Sequence, residues 1–126
     1  MCIRDRDEIV TATLASVAYQ SADLVTAMRA DGADLRSLRV DGGMVVNDWL
    51  CQFLADISQL PIERPAYTET TALGAAILAA LGSGAFSSLE QAAGMWGLQQ
   101  DFQPQMAQLQ RDELLSGWQA AVARAL

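Results

Sequence analysis

The chain has 126 residues, of which 52% are hydrophobic, and its 15 acidic and 8 basic residues leave a net charge of −7. This length supports one domain with a hydrophobic core, and no apolar run approaches the ~20 residues that a bilayer span requires. A nucleic acid is a poor partner for so acidic a chain, because binding to a phosphate backbone needs a basic face. The sequence therefore predicts a globular protein with neither a membrane span nor a nucleic-acid site.

The cysteine and histidine content argues against disulfides and zinc. Two cysteines, Cys2 and Cys51, and no histidine are too few for a disulfide framework or a mixed Cys/His zinc site. We expect Cys51 to pack as a small hydrophobe and the protein to reside in the reducing cytoplasm. The sequence nominates no metal ligand.

The first elements are a helix and a strand. Residues 1–6, "MCIRDR", show no apolar periodicity, and we interpret them as a leader foreign to the fold, so that the domain covers residues 7–126. Apolar residues at helical spacing predict a helix from Asp7 to about Ala30, with Gly32 as its left-handed cap. The next segment, "LRSLRV", alternates apolar residues and predicts a buried strand that ends at Asp41.

The middle of the chain predicts two helices around a short strand. The first helix runs from about Val45 to Leu60. Its inner face is expected to carry Val46, Trp49, Leu50, Phe53 and Ile57. The segment "PIERP" predicts an edge strand, because proline lacks a backbone N–H. In "TETTALGAAILAALGSG", Thr70 or Thr71 caps an alanine-rich helix whose small residues permit close packing.

The C-terminal third is predicted to be helical. The sequence "SSLE" resembles a capping box, with Ser87 and Glu90 opening a short helix. The segment "MWGLQQDFQPQ" is expected to be connecting structure. A last helix from about Met106 presents apolar residues at helical spacing, namely Leu109, Leu115, Trp118 and Val122. This order of elements predicts a helix-rich α/β fold.

The most informative feature is a double glycine between the predicted strand and helix, in "VDGGMVVN". Glycine lets a ligand approach the main chain, and a helix start offers unpaired N–H groups. Gly42 and Gly43 are therefore candidate contacts for the ribose or phosphate of a nucleotide, and Asn47 can offer an amide to an adenine edge or a ribose hydroxyl. Asp41 either caps the following helix or touches the ligand.

A purely structural role of the same residues stays open. Strand–Gly-Gly–helix corners occur in many α/β domains because the corner needs unusual backbone angles. Asn47 is by the same standard an ordinary first-turn residue. Thr70 and Thr71 are helix caps that alternatively line the same cleft.

The segments "LRVDGGMVVNDWLCQFLADI" and "IERPAYTETTALGAAILAAL" closely resemble the C-terminal part of the FGGY carbohydrate kinase family. The helix "EIVTATLASVAYQSADLVTAM" and the end "GWQAAVARAL" are similar to that family too, so the resemblance covers nearly all of residues 7–126. It implies part of the C-terminal actin-like, ribonuclease H-like ATPase domain of FGGY kinases. Family members are roughly four times this length, so the resemblance also implies a fragment without the amino-terminal domain.

The resemblance carries functional expectations. "DGG" followed by Asn resembles an adenosine-binding motif, which implies that Gly43 and Asn47 contact ATP or ADP, with Gly42 and Asp41 in the same loop. The "ERP…ETTALGAA" block points to glycerol as the substrate that the complete enzyme phosphorylates to glycerol 3-phosphate, with Mg²⁺ present. The glycerol-binding residues and the base belong to the missing domain. We therefore nominate no catalytic residue and expect the fragment alone to be inactive.

Two residues depart from the family pattern, and two alternatives to this function stay open. Ala15 stands where the family usually has an acidic residue or glutamine, and Asp48 replaces a second asparagine, so both bear on hydrogen bonding at the ribose. One alternative is a fragment of another FGGY sugar or polyol kinase. The other is a non-catalytic α/β interaction module. Family members form dimers and tetramers, and nothing in this stretch selects a homo-oligomeric state.

Overall fold

The computed structural model describes residues 5–125. Its elements are the helices α1 (Arg6–Ala30), α2 (Asp48–Ser58), α3 (Thr70–Gly82), α4 (Leu89–Ala93) and α5 (Gln108–Ala125), a 3₁₀ helix (Gly43–Val46), and the strands β1 (Leu38–Arg39), β2 (Ile62–Pro65) and β3 (Leu98–Phe102). No helix within the described range combines the length and apolar character needed to cross a membrane.

Helix α1 confirms the first predicted element. Its N-terminus is capped by Asp5, whose carboxylate accepts a hydrogen bond from the Glu8 N–H at 2.9 Å. At its C-terminus Gly32 adopts φ 91°, the left-handed conformation that glycine takes without steric cost. Most of the predicted leader, residues 1–4, lies outside the described residues, and the foreign origin of residues 1–6 stays a prediction.

The three strands form one sheet in the order β1-β2-β3. Strand β1 pairs with β2 in parallel, with Leu38 opposite Ile62, and β2 pairs with β3 antiparallel. The strand predicted to end at Asp41 is thus confined to two residues. The prediction of β2 as an edge strand is wrong, because β2 is central. Its proline is tolerated there because Pro65 closes the strand at a register shift.

Strand β3 corrects a second prediction, since "MWGLQQDFQPQ" was expected to be connecting structure. Four of the five strand residues are exposed and only Phe102 is buried. An outer strand with so little burial lacks the alternation of apolar and polar residues that reveals a strand in sequence. Only the antiparallel pairing with β2, for example Phe102 opposite Ile62, makes it one.

The core lies where α1 crosses α2 above the sheet. Its buried cluster consists of Ala18, Val45, Cys51, Leu54, Ala55, Ile62 and Phe102. Helix α1 contributes small buried residues such as Ala18 and Ala22, whereas Leu24 is 61% exposed. Helix α5 packs beside this core. Its Trp118 stacks on Tyr19 of α1, with ring centroids 5.3 Å apart. The close approach of α1 and α2 therefore depends on alanines rather than on the larger side chains of α1.

Helix α2 begins three residues later than predicted. Residues 43–46 form the 3₁₀ helix, and Asn47 separates it from α2. As a result, two residues assigned to the inner face are exposed, Val46 by 65% and Trp49 by 44%, whereas Leu50 and Ile57 are buried as predicted. The change from 3₁₀ to α geometry breaks the single periodicity that the prediction assumed.

The predicted capping box of α4 is displaced by one residue. Ser88, not Ser87, is the N-cap, and its hydroxyl accepts a hydrogen bond from the Gln91 N–H at 3.2 Å. The Gln91 side chain in turn accepts from the Ser87 N–H at 2.9 Å. Gln91 therefore takes the place that Glu90 was expected to have, because glutamine and glutamate both complete this motif.

Candidate functional site

The four predicted contact residues lie in one loop between β1 and α2, which we call the glycine loop (residues 41–47). Gly42 adopts φ 88°, which strains any residue with a Cβ, and its N–H donates to the Thr68 carbonyl at 2.8 Å. The 3₁₀ helix then turns the chain toward α2. The loop is thus fixed at one end by the segment that follows β2, through Thr68, and at the other end by α2.

Backbone conformation explains the glycine at position 42 but not the glycine at position 43. Gly42 has the left-handed φ, whereas Gly43 does not. A Cβ built on either residue would meet no heavy atom within 4 Å. Gly43 is therefore required neither by its backbone conformation nor by packing against the described chain. Its bare main chain faces open space, which leaves room for a ligand to approach.

The side-chain oxygen and nitrogen of Asn47 differ in their hydrogen bonding. Its Oδ1 accepts a hydrogen bond from the Leu50 N–H at 3.2 Å, which caps α2. Within residues 5–125 its side-chain nitrogen has no hydrogen-bond acceptor. The structural role and the ligand role proposed for this residue are therefore compatible, because the oxygen serves the helix and the N–H₂ group stays available as a donor.

The expected position of the double glycine at the start of α2 is wrong. Gly42 is the N-cap of the four-residue 3₁₀ helix and Gly43 is its first residue, whereas α2 itself starts at Asp48. The attraction of the α2 N-terminus for phosphate therefore does not apply to the glycines. The exposed carboxylate of Asp41 in the loop also repels an anion, whereas Arg64 offsets the charge of Asp48. The loop suits an uncharged ribose or base better than a phosphate.

Asp41 contacts the start of α3 rather than capping α2. Its carboxylate accepts a hydrogen bond from the Thr70 hydroxyl across 29 positions of sequence. Thr70 is the first residue of α3, whose N-cap is Glu69 without a side-chain hydrogen bond. The prediction of Thr70 or Thr71 as a cap is therefore wrong, and Thr70 instead lies beside the glycine loop. No spacing in the sequence signals a contact over this separation.

A groove of about 310 Å³ runs between α1 and α2 next to the glycine loop. Its lining includes Asp41 and Met44 of the loop but not Gly42, Gly43 or Asn47. These three residues lie outside the groove. Ligand pockets normally enclose most of a ligand, so the glycine loop alone can form no more than one wall of a site.

The interior next to the loop contains Cys51 and Arg64. Cys51 is 1% exposed and its thiol donates to the Val45 carbonyl at 3.2 Å, which confirms its predicted packing role. Burial raises the pKa of the Cys51 thiol, although the charge of Arg64 opposes this shift. The sequence did not reveal this positive neighbour. Asp48, one of the two departures from the family pattern, forms an ion pair with Arg64 at 2.7 Å.

The other departure and the metal prediction concern the surroundings of the loop. Ala15 is half-buried on α1. Within residues 5–125 no three acidic or cysteine side chains converge to form a metal site. We assign none of these residues to a metal ion.

Comparison with known proteins identifies the family. Residues 4–83 match the FGGY family of carbohydrate kinases, C-terminal domain. Glycerol kinase 1 of Pseudomonas aeruginosa is 55% identical over 117 residues, which cover 93% of this chain and 24% of that protein. The glycerol kinase of Coxiella burnetii is 51% identical over 121 residues, or 96% of this chain and 24% of that protein. The chain thus spans about a quarter of these relatives' length.

Solved structures agree. A crystal structure of Plasmodium falciparum glycerol kinase with ADP superimposes with a TM-score of 0.83 and 35% identity, over 100% of this chain and 26% of that one. The xylulose kinase of Rhodospirillum rubrum shares the fold, with a TM-score of 0.78 and 22% identity over 98% of this chain and 26% of that one. The predicted actin-like, ribonuclease H-like fold is confirmed. The chain belongs to the FGGY family of carbohydrate kinases, and its residues 4–83 match the family's C-terminal domain.

Proposed function

We propose that this chain is the nucleotide-side part of an enzyme that transfers the γ-phosphoryl group of ATP to a terminal hydroxyl of glycerol, giving glycerol 3-phosphate and ADP. The observation that carries the proposal is the 55% identity over 117 residues with a glycerol kinase. The likeness to a glycerol kinase described with ADP supports the choice of nucleotide. We place the enzyme in the cytoplasm and leave its oligomeric state open.

The glycine loop forms the adenosine-side wall in this proposal. The main chain at Gly42 and Gly43 lies against the ribose or adenine, because no Cβ intervenes. The free N–H₂ group of Asn47 donates a hydrogen bond to an adenine or ribose acceptor. Asp41 orients the loop through Thr70. Phosphoryl transfer depends mainly on positioning and charge neutralisation, and these residues contribute positioning.

The remaining chemistry belongs to the rest of the enzyme. The attacking hydroxyl of glycerol must give up its proton to a base, and in such reactions Mg²⁺ neutralises the phosphate charge. No residue of this chain is assigned to either role. Residues 1–126 alone should therefore bind ADP no more tightly than about 1 mM, which corresponds to about −4 kcal/mol, and should not consume ATP in the presence of glycerol.

A nuclear magnetic resonance titration tests the nucleotide wall directly. Asn47 is the only asparagine of the chain, so selective ¹⁵N-asparagine labelling yields one backbone and one side-chain amide signal. ADP should shift the side-chain signal of Asn47 and, in a glycine-labelled sample, the signals of Gly42 and Gly43. A saturating titration without these shifts would favour the interaction module instead.

The substitution Asn47→Ser separates the ligand role from the capping role. Serine is as good an N-cap as asparagine but lacks the amide N–H₂ group. In the intact kinase, N47S should raise the Kd for ADP about tenfold, the value of one hydrogen bond of about 1.4 kcal/mol, and leave the melting temperature unchanged. N47A is the matched control that loses both roles. Unchanged ADP affinity in N47S would remove Asn47 from the site.

The substrate is identified by measuring ATP consumption by the intact kinase with glycerol and then with other polyols in its place.

A further inference from the structure

A buried arginine lies directly beneath the glycine loop. Arg64 is located on the central strand β2 and is 6% exposed. Its Nη1 donates to the Val45 carbonyl at 2.8 Å and to Asp48 Oδ1 at 2.7 Å. Its Nη2 donates to Gln100 Oε1 on β3 at 2.6 Å. One side chain thus connects the sheet, the 3₁₀ helix of the loop and the first turn of α2.

The loop contact is the informative one. Val45 lies in the 3₁₀ helix between Gly43 and Asn47, the two residues proposed to touch the nucleotide. Its carbonyl accepts from both Arg64 and the Cys51 thiol. A charge-assisted hydrogen bond to a backbone carbonyl fixes the position of that peptide unit. The spacing between Gly43 and Asn47 is therefore set from below by Arg64.

Stability alone is a weak explanation for such an arrangement. This ion pair contributes little to stability, because Arg64 loses its hydration on burial whereas solvent screens the Asp48 carboxylate, which is 67% exposed. Here Arg64 Nε has no hydrogen-bond partner within the described residues, which adds to the cost. A planar group with several fixed donors does, however, define geometry in a way that a lysine ammonium does not.

We infer that Arg64 is a positioning residue for the nucleotide, acting through the Val45 carbonyl, with Asp48 as the exposed carboxylate that orients the guanidinium. This inference rests on the proposed function, since it assumes that the glycine loop contacts ADP. It gives Asp48 a role other than a ribose contact. Arg64 itself does not touch the ligand.

The test uses the intact kinase and compares R64M and R64K with R111M. Arg111 is a matched control, because its Nε donates to the Ile57 carbonyl at 2.9 Å, at the opposite end of α2 from the glycine loop. R64M should raise the Kd for ADP at least about tenfold, as expected for loss of a charge-assisted hydrogen bond. R64K should recover part of that loss. R111M should leave the Kd for ADP within twofold of the original protein, and the KM for glycerol should change in none of the three.

Four further outcomes decide the inference. If R64M does not fold, Q100L, which removes the acceptor of Arg64 Nη2 without changing the charge, still has to weaken ADP binding more than R111M does. An equal loss of ADP and glycerol affinity in R64M or R64K would assign Arg64 a merely structural role and overturn the inference. Unchanged ADP affinity in both Arg64 variants, while N47S weakens binding, would overturn it and leave the proposed function intact. Unchanged ADP affinity in N47S and in both Arg64 variants would overturn the inference and also the assignment of the glycine loop to the adenosine side.

Discussion

Helices α2 and α3 are similar in apolar content and opposite in burial. In α2 seven of the 11 residues are buried, whereas in the 13 residues of α3 none is. A helix that is apolar all round normally lies inside a protein, and Leu78 of α3 is instead 66% exposed. Apolar composition alone therefore does not decide burial, because the described chain covers α2 and leaves α3 exposed.

Polar contacts also differ between α2 and α3. The buried carboxylate of Asp56 on α2 accepts hydrogen bonds from the backbone N–H groups of Gln105 and Met106 at 2.6 and 3.1 Å. It thereby ties α2 to the segment that precedes α5. The side-chain contact of α3 with the glycine loop is the hydrogen bond between Thr70 and Asp41. Helix α2 is thus part of the hydrophobic core, whereas α3 lies on the surface of the described chain.

Truncation of one large side chain in each helix should show the largest difference. Ile57 of α2 is fully buried, so Ile57→Ala should lower the free energy of unfolding by about 2–5 kcal/mol through lost burial and a cavity. Leu78→Ala in α3 should change it by no more than about 0.5 kcal/mol. Urea denaturation measures both. Similar losses in the two variants would mean that α3 is buried in solution.

Glycine-to-alanine substitutions should have opposite signs in the two regions. Gly42→Ala places a Cβ at φ 88° and should destabilise the chain by about 1–2 kcal/mol. Gly74, inside α3, has open space around its Cα, so Gly74→Ala should stabilise the isolated chain by up to about 1 kcal/mol. In the intact kinase the gain at Gly74 should vanish if a partner surface packs closely on α3. Thermal melts of both forms provide the measurement.

Self-association should respond to α3 and not to the core. Exposed apolar residues such as Leu78 and, on α5, Leu109, which is 74% exposed, form surface that invites association. We expect the isolated chain to sediment as oligomers at micromolar concentration and Leu78→Lys to shift it toward monomer, with little change in unfolding free energy. A monodisperse original chain in sedimentation velocity would contradict this expectation.

The smallest effect concerns pH. Because burial raises the pKa of the Cys51 thiol, the folded state holds the thiol proton more tightly than the unfolded state. The corresponding stability is complete below the ordinary thiol pKa of about 8.5 and is lost as pH rises through the raised value. In a Cys2→Ser background, unfolding free energy should fall above this pH, and Cys51→Ala should remove the dependence. A cysteine introduced at Leu78 instead should show none.

Several local features were predictable because neighbouring residues determine them. Helix α1 and its cap at Gly32 follow from apolar spacing and a glycine that tolerates positive φ. Helix α3 follows from its alanine-rich composition. The grouping of Asp41, Gly43 and Asn47 was equally predictable, since all three lie within a single loop.

Contacts between distant segments were not predictable in the same way. Strand β3 exists only through its pairing with β2, and the hydrogen bond between Asp41 and Thr70 spans 29 positions. The contact of Arg64 with the Val45 carbonyl has no local signature either. In sequence, Arg64 is simply a charged residue of the strand predicted in "PIERP", and burial is what gives it a role.

By itself, the sequence determined the helices, the loop that carries the candidate site and the family to which the chain belongs, because helix propensity, capping and glycine conformation act between residues close together in the chain. Tertiary structure alone decided which strand is central, that the double glycine opens a 3₁₀ helix rather than α2, and which helix faces are buried. Those outcomes depend on how segments far apart in the chain share hydrogen bonds and exclude water, and no local pattern of residues records that.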